Sequence, residues 1–219
     1  MKILFLIATL GFAQALPEGG MGIGQKMKEN AEALKQYSYK RRTTIRIKDR
    51  TAARTDLVRY VDGKMEVAPL ESPARPAGGG RGELRGRMAQ KKIAKKKEEM
   101  KKETEQLTSL VRSYLGGGAE SKGLLEKVAI SRVGSGPDAD IKLTASGVVS
   151  PSDSLSLVWS VAGRRPAQVE IRAAVEGKPV GVTVEYASLP QGPFYAARTT
   201  IAMPKKDLTI TIDAFDYVH

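Results

Sequence analysis

The sequence contains no cysteine and only one histidine, His219, among its 219 residues. The missing cysteines exclude disulfide bonds, thiolate metal ligands, a cysteine nucleophile and acylation of a lipoprotein-type cysteine. One histidine, without a serine or carboxylate at a suitable spacing, gives no recognisable catalytic triad. Carboxylates are then the only side chains left to hold a metal, and their positions mark no pair. We therefore expect no enzyme activity, no cofactor and no metal site.

Aromatic residues are also scarce, at 5% of the chain, and none of them interleaves with the basic clusters. Surfaces that bind single-stranded nucleic acid usually stack bases on aromatic side chains between cations. Nucleic acid is therefore not an expected partner. The formal net charge is nevertheless +12, and such an excess favours anionic partners such as lipid headgroups, an anionic membrane surface or acidic polymers.

No segment is apolar over the roughly 20 residues that a membrane-spanning helix needs. The N-terminus has the pattern of an export signal: Lys2, an apolar stretch at residues 3–12, and a small-x-small pattern at residues 13–15. We expect cleavage near Ala15 and an exported mature chain. Residues 16–24 are rich in glycine and predict a flexible leader.

The next part of the chain predicts a helix followed by three strands. Apolar side chains recur at helical spacing over residues 25–37 and predict a short amphipathic helix. Alternation then predicts a strand at residues 39–48 with a strongly basic outer face. Two further strands, 56–61 and 64–70, flank a two-residue hairpin turn at 62–63.

A helical insertion is predicted at about residues 83–130, with one long helix to residue 115 and a shorter one after it. Its apolar stripe has two interpretations. It packs on the sheet as an ordinary surface helix, or it forms a lid over an apolar cavity, since methionine adapts to varied partners and glycines on both sides permit hinge motion. The residues assigned to the lid are Met88, Ile93, Met100, Leu107 and Val111.

Apolar and polar residues alternate through five consecutive segments between residue 153 and the C-terminus. Successive side chains of a strand point to opposite faces, so each segment predicts a strand with one apolar face. A further strand begins at Ile141. The prediction is an α+β fold: a curved antiparallel sheet of nine strands, or half-open β-barrel, with an N-terminal helix and the central helical insertion as a lid, in one domain at residues 25–219.

Helices can cover only part of such a sheet, and the uncovered apolar surface of a curved sheet becomes a cavity. An acyl chain could fill it, because each buried methylene contributes about 0.8 kcal/mol without any specific polar contact. Trp159 and Tyr186 also fit an ordinary core position. The residues assigned to the cavity are Leu157, Trp159, Val182, Val184, Tyr186, Ile201, Met203 and Ile210.

Basic residues cluster on the first strand and on the long helix. We expect them to form a surface for an anionic partner, and the residues assigned to it are Arg42, Arg46, Lys48, Lys95 and Lys96.

The order of these elements, together with residues 29–40 (ENAEALKQYSYK), 58–64 (VRYVDGK) and 194–199 (FYAART), resembles the lipoprotein-localisation carriers (LolA/LolB-like) and uncharacterised exported proteins grouped with outer-membrane lipoprotein-sorting proteins. The resemblance implies a periplasmic, non-catalytic carrier or sensor that binds the acyl chain of a lipoprotein or other lipid. The alternative is a chaperone-like or structural interaction protein that uses the long basic helix.

Overall fold

The computed structural model describes residues 20–70, 128–136 and 138–219, with only the backbone described at residues 20–25. The predicted export signal and residues 83–127 of the predicted insertion lie outside these ranges.

Helix α1 (Gly20–Leu34) is the N-terminal helix that the sequence predicted, but it begins five residues earlier and ends three residues earlier than expected. Residues 20–24 are therefore helical and not a flexible leader. Glycine lowers helix propensity, yet adding a residue to an existing helix costs far less than starting one. The helix ends in a tighter turn, where the backbone N–H of Tyr37 donates to the carbonyl of Leu34 at 3.1 Å.

Ten strands form a single antiparallel sheet. They are β1 (Ser38–Ile47), β2 (Arg50–Val61), β3 (Lys64–Pro69), β4 (Ala129–Val133), β5 (Asp140–Ser146), β6 (Ser154–Ser160), β7 (Arg165–Val175), β8 (Lys178–Ser188), β9 (Phe194–Met203) and β10 (Leu208–Val218). A short 3-10 turn (Pro204–Lys206) joins the last two. The strand order is β3-β2-β1-β10-β9-β8-β7-β6-β5-β4. Within the described residues, β3 and β4 are the two edges and do not pair with each other, so the sheet is open.

The alternation from residue 153 onward predicted β6 to β10 correctly. The sequence pattern before it predicted β1 and β3 within about one residue. The start of β2 was missed because Arg50–Arg54 are all exposed and show no apolar parity. The prediction at residues 129–133 was wrong. The helical insertion was expected to reach residue 130, but residues 129–133 form β4, whose five side chains are all exposed. An edge strand without a buried face has no periodic signal and is defined only by its pairing with β5.

The two faces of the sheet differ in composition. The apolar face carries the core, and the largest fully buried side chains on it include Leu143, Leu155, Leu157 and Ile171. The outer face carries short polar residues and charged pairs. Helix α1 packs on the apolar face, where Met27 belongs to the core cluster and is 3% exposed. The described sheet therefore has one buried apolar face, as the alternation predicted.

Bulges interrupt the register in three places, between β6 and β7, β8 and β9, and β1 and β10. A bulge adds one unpaired residue, so the parity of the side chains changes across it. Tyr186 and Ala196 pair directly beyond the bulge of β8 and β9. The uniform parity that the sequence predicted for Tyr195 to Met203 therefore does not hold at the start of β9.

Candidate functional site

One row of apolar side chains crosses eight of the ten strands in register. It lies on the apolar face and is named here the apolar row. Its members, from β5 through β10 to β1 and β2, are Ala145, Leu155, Ile171, Val182, Ile201, Ile210, Ile45 and Ala52. Neighbouring strands are about 4.8 Å apart, so the row is a long continuous strip. It extends well beyond what a compact core requires.

Burial changes along the apolar row. The four members on β5 to β8 are 1% to 2% exposed and belong to the core cluster. Ile201 and Ile45 are only half-buried, and Ala52 at the end of the row is exposed, although Ile210 between them is buried. The row therefore has a core half and a more accessible half on β9, β10, β1 and β2. The accessible half, named here the open half of the row, spans roughly 14 Å across its four strands.

One neighbouring row on the same face does not remain apolar over these strands. The neighbouring row passes from Val184 to Thr199, Ile212 and Thr43 and ends at Arg54. Hydroxyl or charged groups appear there on β9, β1 and β2. The open half of the apolar row is thus bordered by polar groups on this side, whereas Met203, Leu208 and Ile47 continue the apolar surface on the other side.

Helix α1 is fixed to the sheet beside this face by a buried amide. The Asn30 side chain is 8% exposed, and its Nδ2 donates to the carbonyl of Phe194 at 2.7 Å. The backbone N–H of Phe194 donates back to Asn30 Oδ1 at 2.7 Å. The amide therefore satisfies both backbone groups at the first residue of β9, as a neighbouring strand would.

A buried cluster of charged side chains lies where β1 pairs with β2. Asp56 is 1% exposed and is held by Arg41 Nη2 at 3.1 Å and by Arg54 Nε at 2.7 Å. Burial by itself would raise the pKa of Asp56, but the hydrogen bonds and charges of Arg54 and Arg41 outweigh it and hold the pKa below its ordinary value. Asp56 is thus a fixed negative charge between two guanidinium groups.

The sequence prediction missed this cluster. Arg41 has the same parity as Tyr39 and Thr43, so its position on the apolar side of a predicted strand was a signal that was available. Its partner Asp56 lies directly opposite on β2. The pairing register was needed to see that the two charges meet.

Tyrosines cluster where helix α1 and the chain's last strand meet. Tyr39 stacks on Tyr217 with ring centroids 4.7 Å apart, and Tyr195 lies 4.3 Å from Tyr217. Burial, with a smaller contribution from Tyr60, raises the pKa of Tyr39 to about 12, and burial also raises the pKa of Tyr217. His219 stacks edge-on against Tyr37 at 5.0 Å. Tyr39 and Tyr217 therefore stay neutral near pH 7 and act as packing groups.

The residues assigned to the lipid cavity are placed on the apolar face, except that Tyr186 lies just beyond a bulge. Six are buried: Leu157, Trp159, Val182, Val184, Met203 and Ile210. Ile201 and Tyr186 are only partly buried and pack against the core cluster. Burial raises the pKa of Tyr186 to about 12. Of the assigned residues, Ile201 and Ile210 lie in the open half of the apolar row, and Ile201 is the one of these two that is only half-buried.

Of the assigned basic residues, Arg42 and Arg46 are exposed on the outer face of β1, and Lys48 is exposed in the turn that follows it. Arg42 lies opposite Asp213 and over the ring of Phe215, with 5.5 Å from its guanidinium carbon to the centroid. Arg46 and Lys48 lie toward one end of the sheet and line a shallow groove there. Lys95, Lys96 and the five lid residues lie outside the described residues.

The described residues form neither a cluster of metal ligands nor a membrane-spanning helix. Among the residues that the structure describes, no group of three or more histidine or carboxylate side chains converges as a metal site. In the same part of the chain, no helix is long and apolar enough to cross a bilayer.

The described residues form an open antiparallel sheet with an N-terminal helix. No protein-family model matches the sequence, and no curated protein matches it as a relative. The chain is similar to the structure of a domain described as outer-membrane lipoprotein-sorting from Vibrio parahaemolyticus, with 11% identity, coverage of 90% of this chain and 91% of that one, and a TM-score of 0.40.

Two other solved structures are similar to a comparable extent. A LolA-superfamily protein from Nitrosomonas europaea shows 10% identity, coverage of 87% of this chain and 91% of that one, and a TM-score of 0.34. A DUF1329-family protein from Desulfovibrio piger shows 9% identity, coverage of 91% and 92%, and a TM-score of 0.42. At these identities and TM-scores the matches give this chain no ligand, partner or residue role.

Proposed function

We propose that this protein is an exported, non-catalytic carrier or sensor that binds the acyl chain of a lipoprotein or another lipid on the apolar face of its sheet. The site lies in the open half of the apolar row, at Ile201, Ile210 and Ile45. The observation that carries the proposal is the continuation of this row over β9, β10, β1 and β2, where Ile201 and Ile45 are only half-buried.

An extended acyl chain matches this strip in shape and chemistry. It needs a long, narrow apolar surface and no specific hydrogen bond along its length. Burial of roughly a dozen methylenes would contribute about 10 kcal/mol before the costs of association and ordering are subtracted. The polar residues of the neighbouring row, such as Thr43 and Arg54, would then border the chain or meet its head group.

The buried and the accessible members of the apolar row differ in whether a charged substitution can test binding. Val182 is 1% exposed, so a charge there would unfold the core before it tested binding. Ile201 is only half-buried and pairs with Val182 on one side and Ile210 on the other. We therefore expect Ile201→Glu to fold and to weaken binding of a fluorescent fatty acid, cis-parinaric acid, at least about tenfold, because a carboxylate would face the acyl chain.

Thr200→Glu is the matched control. Thr200 adjoins Ile201 in β9, is also half-buried and points to the outer face. It should keep cis-parinaric acid binding and the acyl lipid that mass spectrometry detects in the natively purified protein. Loss of binding in both variants, or in neither, would contradict the proposed site. A purified protein that binds no acyl chain but forms salt-sensitive oligomers would favour the chaperone-like alternative.

A further inference from the structure

One end of the sheet carries an excess of positive charge. Three turns meet there, namely β1–β2 at residues 48–49, β7–β8 at 176–177 and β9–β10 at 204–207. We define the basic end as residues 46–50, 176–178 and 204–207. Its cations are Arg46, Lys48, Arg50, Lys178, Lys205 and Lys206, and its anions are Asp49, Glu176 and Asp207.

The remaining turn at this end, residues 147–153, adds only one carboxylate. Asp153 is 2% exposed and accepts hydrogen bonds from the backbone N–H groups of Val148, Val149 and Ser150 at 2.7 to 2.8 Å. Its charge is therefore directed into its own turn and away from solvent. It does not offset the exposed cations of the basic end.

The opposite end of the sheet has no such excess. Its four turns, with the residues that flank them, lie at 61–64, 134–140, 161–165 and 189–193. Their anions are Asp62, Asp138 and Asp140, and their cations are Lys64, Arg164 and Arg165. The charges balance there. The charge of the described turns is thus unevenly divided between the two ends of the sheet.

The turns of the basic end are held together by the backbone. The N–H of Lys48 donates to the carbonyl of Asp207 at 3.0 Å and joins the β1–β2 turn to the β9–β10 turn. Both residues have positive φ values, 51° and 46°. These left-handed conformations keep the two turns tight. The cations therefore project from a fixed frame and not from a loose loop.

A groove of about 600 Å³ opens between these two turns on the outer face. Its lining combines the cations Arg46 and Lys48, the carboxylates of Asp49 and Asp207, and the small, polar or apolar residues Ala202, Pro204, Leu208 and Thr209. Arg46, Lys48 and Pro204 are exposed. The groove is open enough for a headgroup to enter from an adjacent surface.

We propose that the basic end docks this protein onto a bilayer of anionic phospholipid, with headgroup phosphates among the turn cations. The cations are spread over three turn tips instead of converging on one point, which fits an extended anionic surface better than a single small anion. Each Lys or Arg near such a surface favours binding by an amount worth about fivefold in affinity. No aromatic residue lies in the three segments of the basic end, so base stacking gives no reason to favour nucleic acid.

This surface is distinct from the acyl site and makes a separate claim. The acyl site lies on the apolar face, whereas the groove and most of the turn cations lie on the outer face and at the end of the sheet. Membrane docking would bring a lipid carrier or sensor to the place where its ligand resides. Either proposal can fail while the other holds.

The test measures co-sedimentation of the protein with vesicles in physiological salt. One set of vesicles contains equal parts of phosphatidylglycerol and phosphatidylcholine, and the other contains phosphatidylcholine alone. We expect binding to the anionic vesicles only. The double variant Lys48→Glu with Lys205→Glu should weaken that binding by roughly 30-fold or more, since two attractive charges are removed and reversed.

Lys64→Glu with Arg164→Glu is the matched control at the opposite end. Its net charge change is identical, all four positions are exposed, and Arg164 has a φ of 49°, close to that of Lys48. The control should retain most of the binding, and both double variants should still bind cis-parinaric acid. If the first pair fails to fold, as judged by the unfolding midpoint, the corresponding Gln pair replaces it.

Three results would overturn the docking proposal. They are equal loss of binding in the two double variants, equal binding to both kinds of vesicle, and tighter binding to a DNA oligonucleotide than to the anionic vesicles. Loss of cis-parinaric acid binding without loss of vesicle binding would instead count only against the acyl site.

Discussion

Replacing Asp56 by asparagine should be among the most damaging single changes in the described part of the sheet. The change keeps the shape of the side chain and removes its charge. Arg41 would then remain buried, with its side chain 5% exposed, and opposite a neutral amide. A guanidinium group cannot be deprotonated in a protein, so arginine does not escape by losing its proton.

The expected loss follows from the burial of each partner. Removing one member of a buried ion pair costs about 3 to 5 kcal/mol. Arg54 adds little to this, because its side chain is 45% exposed and water can solvate it once Asp56 is neutral. We expect Asp56→Asn to lower the free energy of unfolding by about 3 to 4 kcal/mol, and Arg54→Ala by only about 1 kcal/mol.

Urea unfolding, monitored through the fluorescence of Trp159, measures this loss. Trp159 is the single tryptophan of the chain and is 7% exposed, so its emission reports directly on the core. The double variant Asp56→Leu with Arg41→Met should recover most of the lost stability, since it leaves no buried charge. A loss below about 1 kcal/mol in Asp56→Asn would refute the reasoning that Asp56 is a desolvated anion.

A comparison of the wild-type protein with Asp56→Asn also tests how stability depends on pH. The folded-state pKa of Asp56 is lowered, so its contribution to stability is fully present above the unfolded-state value near 3.8 and is lost as the pH falls through the folded-state pKa. The wild-type protein should therefore lose stability more steeply than Asp56→Asn below about pH 4, and the difference between them should narrow. A difference that stays constant down to pH 2 would contradict the assignment.

Three further predictions concern packing and buried hydrogen bonds. Asn30→Ala should lower the free energy of unfolding by about 2 to 4 kcal/mol, because it leaves both backbone groups of Phe194 unsatisfied; unchanged hydrogen exchange in helix α1 would argue against this. Asp153→Ala should cost about 2 to 3 kcal/mol in urea unfolding, since three backbone N–H groups lose a charged acceptor; an effect within 0.5 kcal/mol would show that water replaces the carboxylate. Val182→Ala should cost about 2 kcal/mol through the cavity it leaves, while the adjacent outer-face change Thr183→Ala should stay within about 0.5 kcal/mol. Similar losses in these last two variants would mean that the two faces are not distinguished by burial.

Much of the sheet could be predicted because the relevant signal is local. The alternation at Leu155, Leu157 and Trp159 has a period of two residues, and the same period continues through β7, β8 and β10. The two-residue turn at Asp62 and Gly63 is also a local signal, and both residues take the positive φ values that such a hairpin needs. Segments without a buried face gave no such signal, as β4 shows.

The candidate site was predicted only in part. The sequence placed Ile201 and Val182 on one apolar face, but it could not tell that the first is accessible and the second is fully buried. It identified Arg46 and Lys48 as an exposed basic pair, but not the grouping with Lys178 and Lys205. Burial and grouping depend on strands that are far apart in the chain.

The sequence by itself determined the strands with an apolar face, the polarity of the two faces, the excess positive charge and the absence of cysteine chemistry. Only the tertiary structure decided that β1 pairs with β10, since Ile45 and Ile210 are separated by almost the whole chain. That pairing extends the apolar row past the core, and the register of β1 on β2 brings Arg41 to Asp56. The physical reason is that side-chain parity is set by each residue's own backbone, whereas burial, charge pairing and the accessible half of the row depend on which strands become neighbours.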